Sequence, residues 1–216
     1  MLLSPMKNLL SRFKRSEPNA DGIGEAQHPV PLNVRIEYML SESVPFNPDH
    51  FQIPAIRNAV AAIGQSGYAI RVDNFRDQKV SESIGRLGSA VFSEKHPPLI
   101  YLILGLNPND IELADTIFHE AMHCTAQALG RHVILPEDDN TGEAWLEELC
   151  VYSGLCQLYP KLHIPEMRQI HRRNKDRHNM LKQKLATGIP VEHVDLWDRH
   201  GVDAAEHLYA LIRNHS

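Results

Sequence analysis

Cysteine is scarce in this chain: Cys124, Cys150 and Cys156 form an odd set of three with no CxxC spacing. That argues against a disulfide framework and fits a reducing, cytoplasmic setting. No run approaches the apolar length that spans a bilayer, so no membrane partner is expected. Aromatic residues make up only 6% of the chain, and none stands among the charges of the basic segment 168–184, RQIHRRNKDRHNMLKQK. Stacking on single-stranded nucleic acid is thereby disfavoured. There is no internal repeat. The opening MLLSPMKNLLSRFKR places its charge behind its apolar residues, the reverse of a secretory signal. It reads as a frayed terminal helix, with a transit peptide or partner-binding helix as the alternative.

With 216 residues, 43% of them hydrophobic, the chain can bury one sizeable core. Residues 1–32 read as a terminal segment and linker rich in Pro, Gly and polar residues. Residues 33–216 read as a single domain whose C-terminal portion, 159–216, is helical. The formal net charge of −5 does not mark a nucleic-acid binder. The charge is uneven, however: Asp110 to Glu148 holds ten acidic residues against Arg131, while Lys161 to Lys184 holds eight Lys or Arg against Glu166 and Asp176.

Periodicity predicts strands over 33–40, 68–75 and 99–106, and a helix opening at Pro54 and ending at Gly64. Residues 76–96 read as a loop or short hairpin, with SAVF a weak strand candidate. Asn107 and Pro108 supply a cap and a first helical residue, and apolar residues then recur at helical spacing from Ile111 to Leu129, before Gly130. After an acidic loop, 133–140, a second helix opens at Asn140 with Glu143 in the capping-box position. It is apolar on nearly every side and is expected to be buried. A basic helix follows Pro165, and a last amphipathic helix begins near Val202.

The sequence FHEAMH puts His119 and His123 one helical turn apart, aiming two imidazoles at a common point, as a zinc site needs. Glu120 lies about 100° round the helix, within reach of a metal-bound water but outside the coordination sphere. It is the candidate general base. A third protein ligand is required. His132 lies past the end of the helix and has no support from spacing. Glu147 and Glu148 are adjacent carboxylates in the otherwise apolar second helix, where an unpaired carboxylate is costly. Glu148 has Ala144, Trp145, Val151 and Tyr152 as helical neighbours, whereas Glu147 sits one turn from Glu143, nearer the polar side. Glu148 is the preferred ligand and Glu147 the alternative.

HEAMH followed by WLEELCVY resembles a gluzincin, the zincin class in which a glutamate on a second helix completes HExxH. In thermolysin-related aminopeptidases the corresponding stretch resembles WLNEGxAxY, which places the ligand at Glu148. FHEAMHCT with EAWLEEL also resembles the zincin-like domain of ArdC-type antirestriction proteins and related plasmid and phage proteins. Val151 and Tyr152 depart from that family, which tends to Ala and Glu there, and its N-terminal DNA-binding domain has no counterpart here. The resemblance covers residues 99–158. It implies an α+β fold: a small mixed sheet with an edge strand over the HExxH helix, followed by a mostly helical C-terminal part. LIYLILGL is the candidate edge strand. It further implies hydrolysis of a peptide or protein substrate with one zinc ion as cofactor, Glu120 as base, and a donor to the oxyanion from among Tyr152, Tyr159, His163 and His171. The rival reading is a mobile-element antirestriction or nucleic-acid-associated protein, in which the basic segment contacts phosphates and the metal is structural.

Overall fold

The computed structural model describes residues 43–73, 88–93, 96–103, 107, 109–131 and 142–215. The expected strand over 33–40, the linker, the acidic loop and the cap at Asn140 lie outside these residues. Four strands form one sheet: β1 (Ser43–Pro45), β2 (Ala69–Asp73), β3 (Gly88–Ser93) and β4 (His96–Leu102), in the order β1-β2-β4-β3. β2 and β4 run parallel, with Ala69 opposite Leu99, and the two flanking pairs are antiparallel. Five helices accompany the sheet: α1 (Pro54–Gln65), α2 (Asp110–Ala128), α3 (Gly142–Leu162), α4 (Arg168–Leu185) and α5 (Val191–His215). The fold is mixed α and β, mostly helical, with a small mixed sheet, as the sequence implies.

β4 explains its own sequence. Ile100 and Leu102 enter the main core with Ile117, Phe118 and Met122 of α2, while Leu99 packs with Val91 in a separate small cluster. A strand buried by both its neighbours and its faces reads as a continuous apolar run. That run was expected at the sheet edge, and here the structure corrects the sequence. β4 is interior, between β2 and β3, and among the described residues the edge strand beside α2 is β3. β4 also starts earlier than expected, at His96. Pro97 and Pro98 are tolerated because pairing with β2 begins only at Leu99.

The cap of α2 is likewise Asn109, not Asn107. Its side chain accepts hydrogen bonds from the amides of Ile111 and Glu112, both at 3.0 Å. Asn107 instead ties β4 to α2, donating to the Ile103 carbonyl at 2.9 Å and accepting from the Thr116 hydroxyl at 2.8 Å. At the other end the helix stops as expected, with Gly130 in the left-handed region at φ 68°.

α5 begins eleven residues before the expected Val202, at Val191. Gly201 looks like a helix boundary in the sequence, yet it sits mid-helix where α5 crosses α3. A Cβ there would lie 2.1 Å from the Cys150 carbonyl oxygen and 2.7 Å from Ser153 Cβ. On α3, a Cβ at Gly154 would lie 2.6 Å from Met122 Sδ and 2.9 Å from the Gly201 carbonyl oxygen. The two glycines let the backbones of α3 and α5 touch and admit the Met122 thioether from α2.

Gly201→Ala should therefore destabilise the protein by about 2 kcal/mol or more, against the roughly 1 kcal/mol that Ala gains over Gly in a helix. Gly188→Ala, where an added Cβ meets nothing within 4 Å, is the control and should stay within about 0.5 kcal/mol. Urea unfolding of both variants measures this, and a neutral Gly201→Ala would refute the tight crossing.

Candidate metal centre

α2 turns its apolar face to the core and leaves His119 and His123 half-buried on the adjoining flank, their rings 5.0 Å apart. α3 brings a carboxylate to them. Glu148 Oε2 stands 3.6 Å from His119 Nε2, and Glu148 Oε1 stands 3.5 Å from His123 Nε2. These separations exceed a good hydrogen bond. Two ligand atoms on a tetrahedral zinc, each about 2.1 Å from the ion, are about 3.4 Å apart. The spacing therefore suits a cation between the groups better than direct contact. The three residues form a group able to hold a metal ion, one ligand atom from each lying within 4.8 Å of the others.

Glu147 has a different place from the one its neighbours in sequence imply. Its side chain is 13% exposed against 35% for Glu148, so it is the more buried of the two. The helical-neighbour argument fails because α2, through His123, meets the side of α3 that looked polar. Glu147 Oε1 lies 3.0 Å from His123 Nδ1. With Nε2 turned to a metal, Nδ1 carries the proton and donates it to Glu147, fixing ring and tautomer.

Burial works against a charge on His123, but Glu147, Glu148 and Glu120 outweigh it and hold the imidazole well above its ordinary 6.5. Burial likewise opposes the Glu148 charge, yet His123, His119 and Arg177 pull that carboxyl from 4.5 down to about 2.

Glu120, next to His119, is buried but has no hydrogen-bond or ion-pair partner among the described residues. The edge strand passes directly over it: a Cβ on Gly88 would lie 3.4 Å from Glu120 Cγ and 2.8 Å from Thr116 Cγ2. Only glycine lets β3 come this close to α2.

Of the four candidate donors, Tyr152 alone touches the cluster, its ring 5.4 Å from that of His119 and its hydroxyl accepting from Arg177 at 3.2 Å. Tyr159 is buried behind it and donates to Asp115. His171 packs on Tyr159, and His163 is an exposed residue at the end of α3 with φ 52°. His132 lies outside the described residues. The cysteines are inert: burial pushes the Cys150 thiol up to about 12 and the Cys156 thiol up to about 11.

Sequence reasoning missed the network around Asp115. Arg173 reaches both oxygens of Glu112 at 2.7 Å and Asp115 at 2.9 Å, and Asn174 donates to Asp115 at 2.8 Å. The signal was available, since Asp115 interrupts the apolar face of α2. On the same basic helix, His178 and Lys182 pair with Asp198 of α5. Arg173, His178 and Lys182 are thus tied to acids within the molecule, while Arg168, Arg172, Lys175, Arg177 and Lys184 of the same helix are exposed. No helix among the described residues is long and apolar enough to cross a membrane. No protein-family model matches the chain, and no curated protein matches its sequence.

For a cation held by this group, Glu147→Ala should lower the affinity about 10- to 100-fold, read by competition with a chromophoric chelator; unchanged affinity would remove Glu147 from the centre. A second expectation concerns pH. Without metal, the Glu148 contribution to stability is present above about pH 4.5 and fades as the pH falls towards about 2. The His123 contribution is present below 6.5 and is lost as the pH rises through its raised value. Metal binding instead requires a neutral His123 and favours higher pH. The melting-temperature gap between zinc-loaded and chelator-treated protein should widen between about pH 5.5 and about pH 8. A narrowing gap would contradict the assignment.

Proposed function

We propose that this protein is a zinc-dependent metallopeptidase of gluzincin type, with His119, His123 and Glu148 holding one zinc ion and Glu120 as general base. The observation that carries the reading is the meeting of Glu148 with both histidine Nε2 atoms, 3.6 Å from that of His119 and 3.5 Å from that of His123, beside a buried Glu120 that has no hydrogen-bond or ion-pair partner among the described residues. A donor set of two imidazoles and one carboxylate suits zinc and leaves a fourth position open, the mark of a catalytic rather than a structural site.

The bound ion supplies Lewis acidity, acidifying water and polarising the substrate carbonyl. Glu120 does the proton work. It takes a proton from the attacking water as the new C–O bond forms, and it delivers that proton to the amine as the C–N bond breaks. Its burial under Gly88, with no competing partner among the described residues, keeps the carboxylate available for water.

β3 supplies the substrate register. Among the described residues it is an edge strand, antiparallel to β4, and Gly88 sits above Glu120. An extended peptide adding to that edge would pass beside the helix that carries the histidines. The substrate class is therefore an extended peptide or an unfolded segment of a protein.

Glu120→Gln is expected to keep its zinc and lose about 10²- to 10⁴-fold in peptide hydrolysis, whereas His119→Ala is expected to lose the metal. Metal analysis and mass-spectrometric cleavage profiling of a peptide library measure both. A zinc-loaded wild type that cleaves nothing in the library would overturn the peptidase reading, and full zinc retention by His119→Ala would overturn the site.

A further inference from the structure

We propose that Arg177 and Lys184 form a substrate-selecting rim beside the candidate centre, which takes an extended peptide carrying two acidic side chains with an apolar one between them. This rests on the peptidase reading and gives the substrate a charge and a spacing.

Two cation–aromatic contacts build the rim. Arg177 Cζ lies 5.8 Å from the centre of the Tyr152 ring, and its Nη1 donates to the Tyr152 hydroxyl at 3.2 Å. Lys184 Nζ lies 4.0 Å from the centre of the Trp145 ring. The partners are seven residues apart on each helix and pair in opposite order, so α3 and α4 run antiparallel here. Two helical turns, about 10.5 Å, separate one contact from the other.

The rim passes the metal group. Glu148 comes three residues after Trp145 and four before Tyr152, so all three share one face of α3. The Tyr152 ring stands 5.4 Å from that of His119, and Arg177 helps to hold the Glu148 carboxyl down at about 2.

Both cations are exposed. Arg173, one turn before Arg177, is closed on Glu112 and Asp115, and Lys182 on Asp195 and Asp198. Arg177 and Lys184 form no ion pair among the described residues. Each is held over a ring, so less side-chain freedom is lost when a carboxylate arrives.

Met180 lies between the two cations on the same face of α4 and is 60% exposed, while Trp145 is 41% exposed. Along α4 the rim therefore runs cation, apolar, cation. In an extended peptide, residues i, i+2 and i+4 share an edge and span about 13 Å. Acidic side chains at i and i+4 come within reach of the long Arg177 and Lys184 side chains, and an apolar residue at i+2 meets Met180. Aromatics beside cations also suit single-stranded nucleic acid, but here the cations lie over the ring faces on which a base would stack. A peptide is the better occupant.

Binding is measured with zinc-loaded Glu120→Gln protein, so that the peptide is held and not consumed. Two fluorescein-labelled nonapeptides, AAEALAEAA and AAQALAQAA, differ only in charge at the two outer positions. By anisotropy at low salt the acidic peptide should bind about fivefold tighter or more, and the difference should shrink as ionic strength rises. Arg177→Gln and Lys184→Gln should each remove part of that difference, and together all of it. Lys175→Gln, an exposed cation on the opposite side of α4, should leave it unchanged. Equal affinity for the two peptides would overturn the proposal, as would a preference that survives the double substitution. Tighter binding of a labelled oligothymidylate of equal length, lost in the double variant, would also overturn it and assign the rim to nucleic acid. If unsubstituted protein fails to cleave AAEALAEAA while the preference stands, the peptidase reading fails by itself and the rim remains a site for acidic peptides.

Discussion

The depth at which α3 lies against α2 and α5 governs the rest of the molecule, and two glycines set it. Gly154 receives the Met122 thioether from α2, and Gly201 lets the α5 backbone touch α3. Each glycine costs a helix about 1 kcal/mol against alanine. The return is close approach: Met122 is the residue before His123, and Gly154 stands less than two turns beyond Glu148. A contact between Met122 and Gly154 thus fixes the distance from the histidines to the carboxylate. A side chain at either glycine would lift α3 away, and a few tenths of an ångström decide whether three ligands share one ion.

Burial of acid is the second constraint, and it follows from the first. Bringing α3 close to α2 gathers Asp115, Glu120, Glu147 and Glu148 within two facing helices. Charges removed from water need partners. Asp115 has Arg173, Asn174 and Tyr159, and Glu147 has His123. Glu148 leans on two imidazoles at distances too long for good hydrogen bonds, and Glu120 has no partner among the described residues. Carboxylate is thus concentrated at one place, where the group of His119, His123 and Glu148 could hold a cation.

Local signals were the legible part of the fold. Pro54 fixed the start of α1, Gly130 fixed the end of α2, and the spacing of His119 and His123 fixed their common face. The misreadings all concern which of two similar local signals tertiary packing selects. Asn107 and Asn109 are equally plausible caps, and only the position of the β4 carbonyls gives Asn107 another use. LIYLILGL has the composition of any well-buried strand, and interior and edge placements differ by its neighbours, which the strand itself does not encode. Gly201 carries the mark of a helix end, and only the presence of α3 against it explains a glycine inside one. Glu147 was misjudged for a related reason: helical neighbours describe one helix, whereas Glu147 meets His123 of α2. The metal group was legible because its three residues obey short-range geometry on two helices, while Asp115 was overlooked although it breaks an apolar face in the same way.

The division of the chain into an acidic half and a basic half also changes meaning in three dimensions. Read along the sequence, a cationic segment at 168–184 invites an external anion. In space, α4 lies against α2 and α3, and its cations face the acids there. Arg173 closes on Glu112 and Asp115, and Lys182 and His178 close on Asp198. These contacts hold α4 at a set distance and angle, and that placement delivers Arg177 to the Tyr152 hydroxyl. Three groups of α4, Arg173, His178 and Lys182, thus clamp it to the helices packed against it. Arg168, Arg172, Lys175 and Lys184 stay exposed on the same helix, so the charge asymmetry along the sequence is met only in part within the molecule, and its remainder faces solvent.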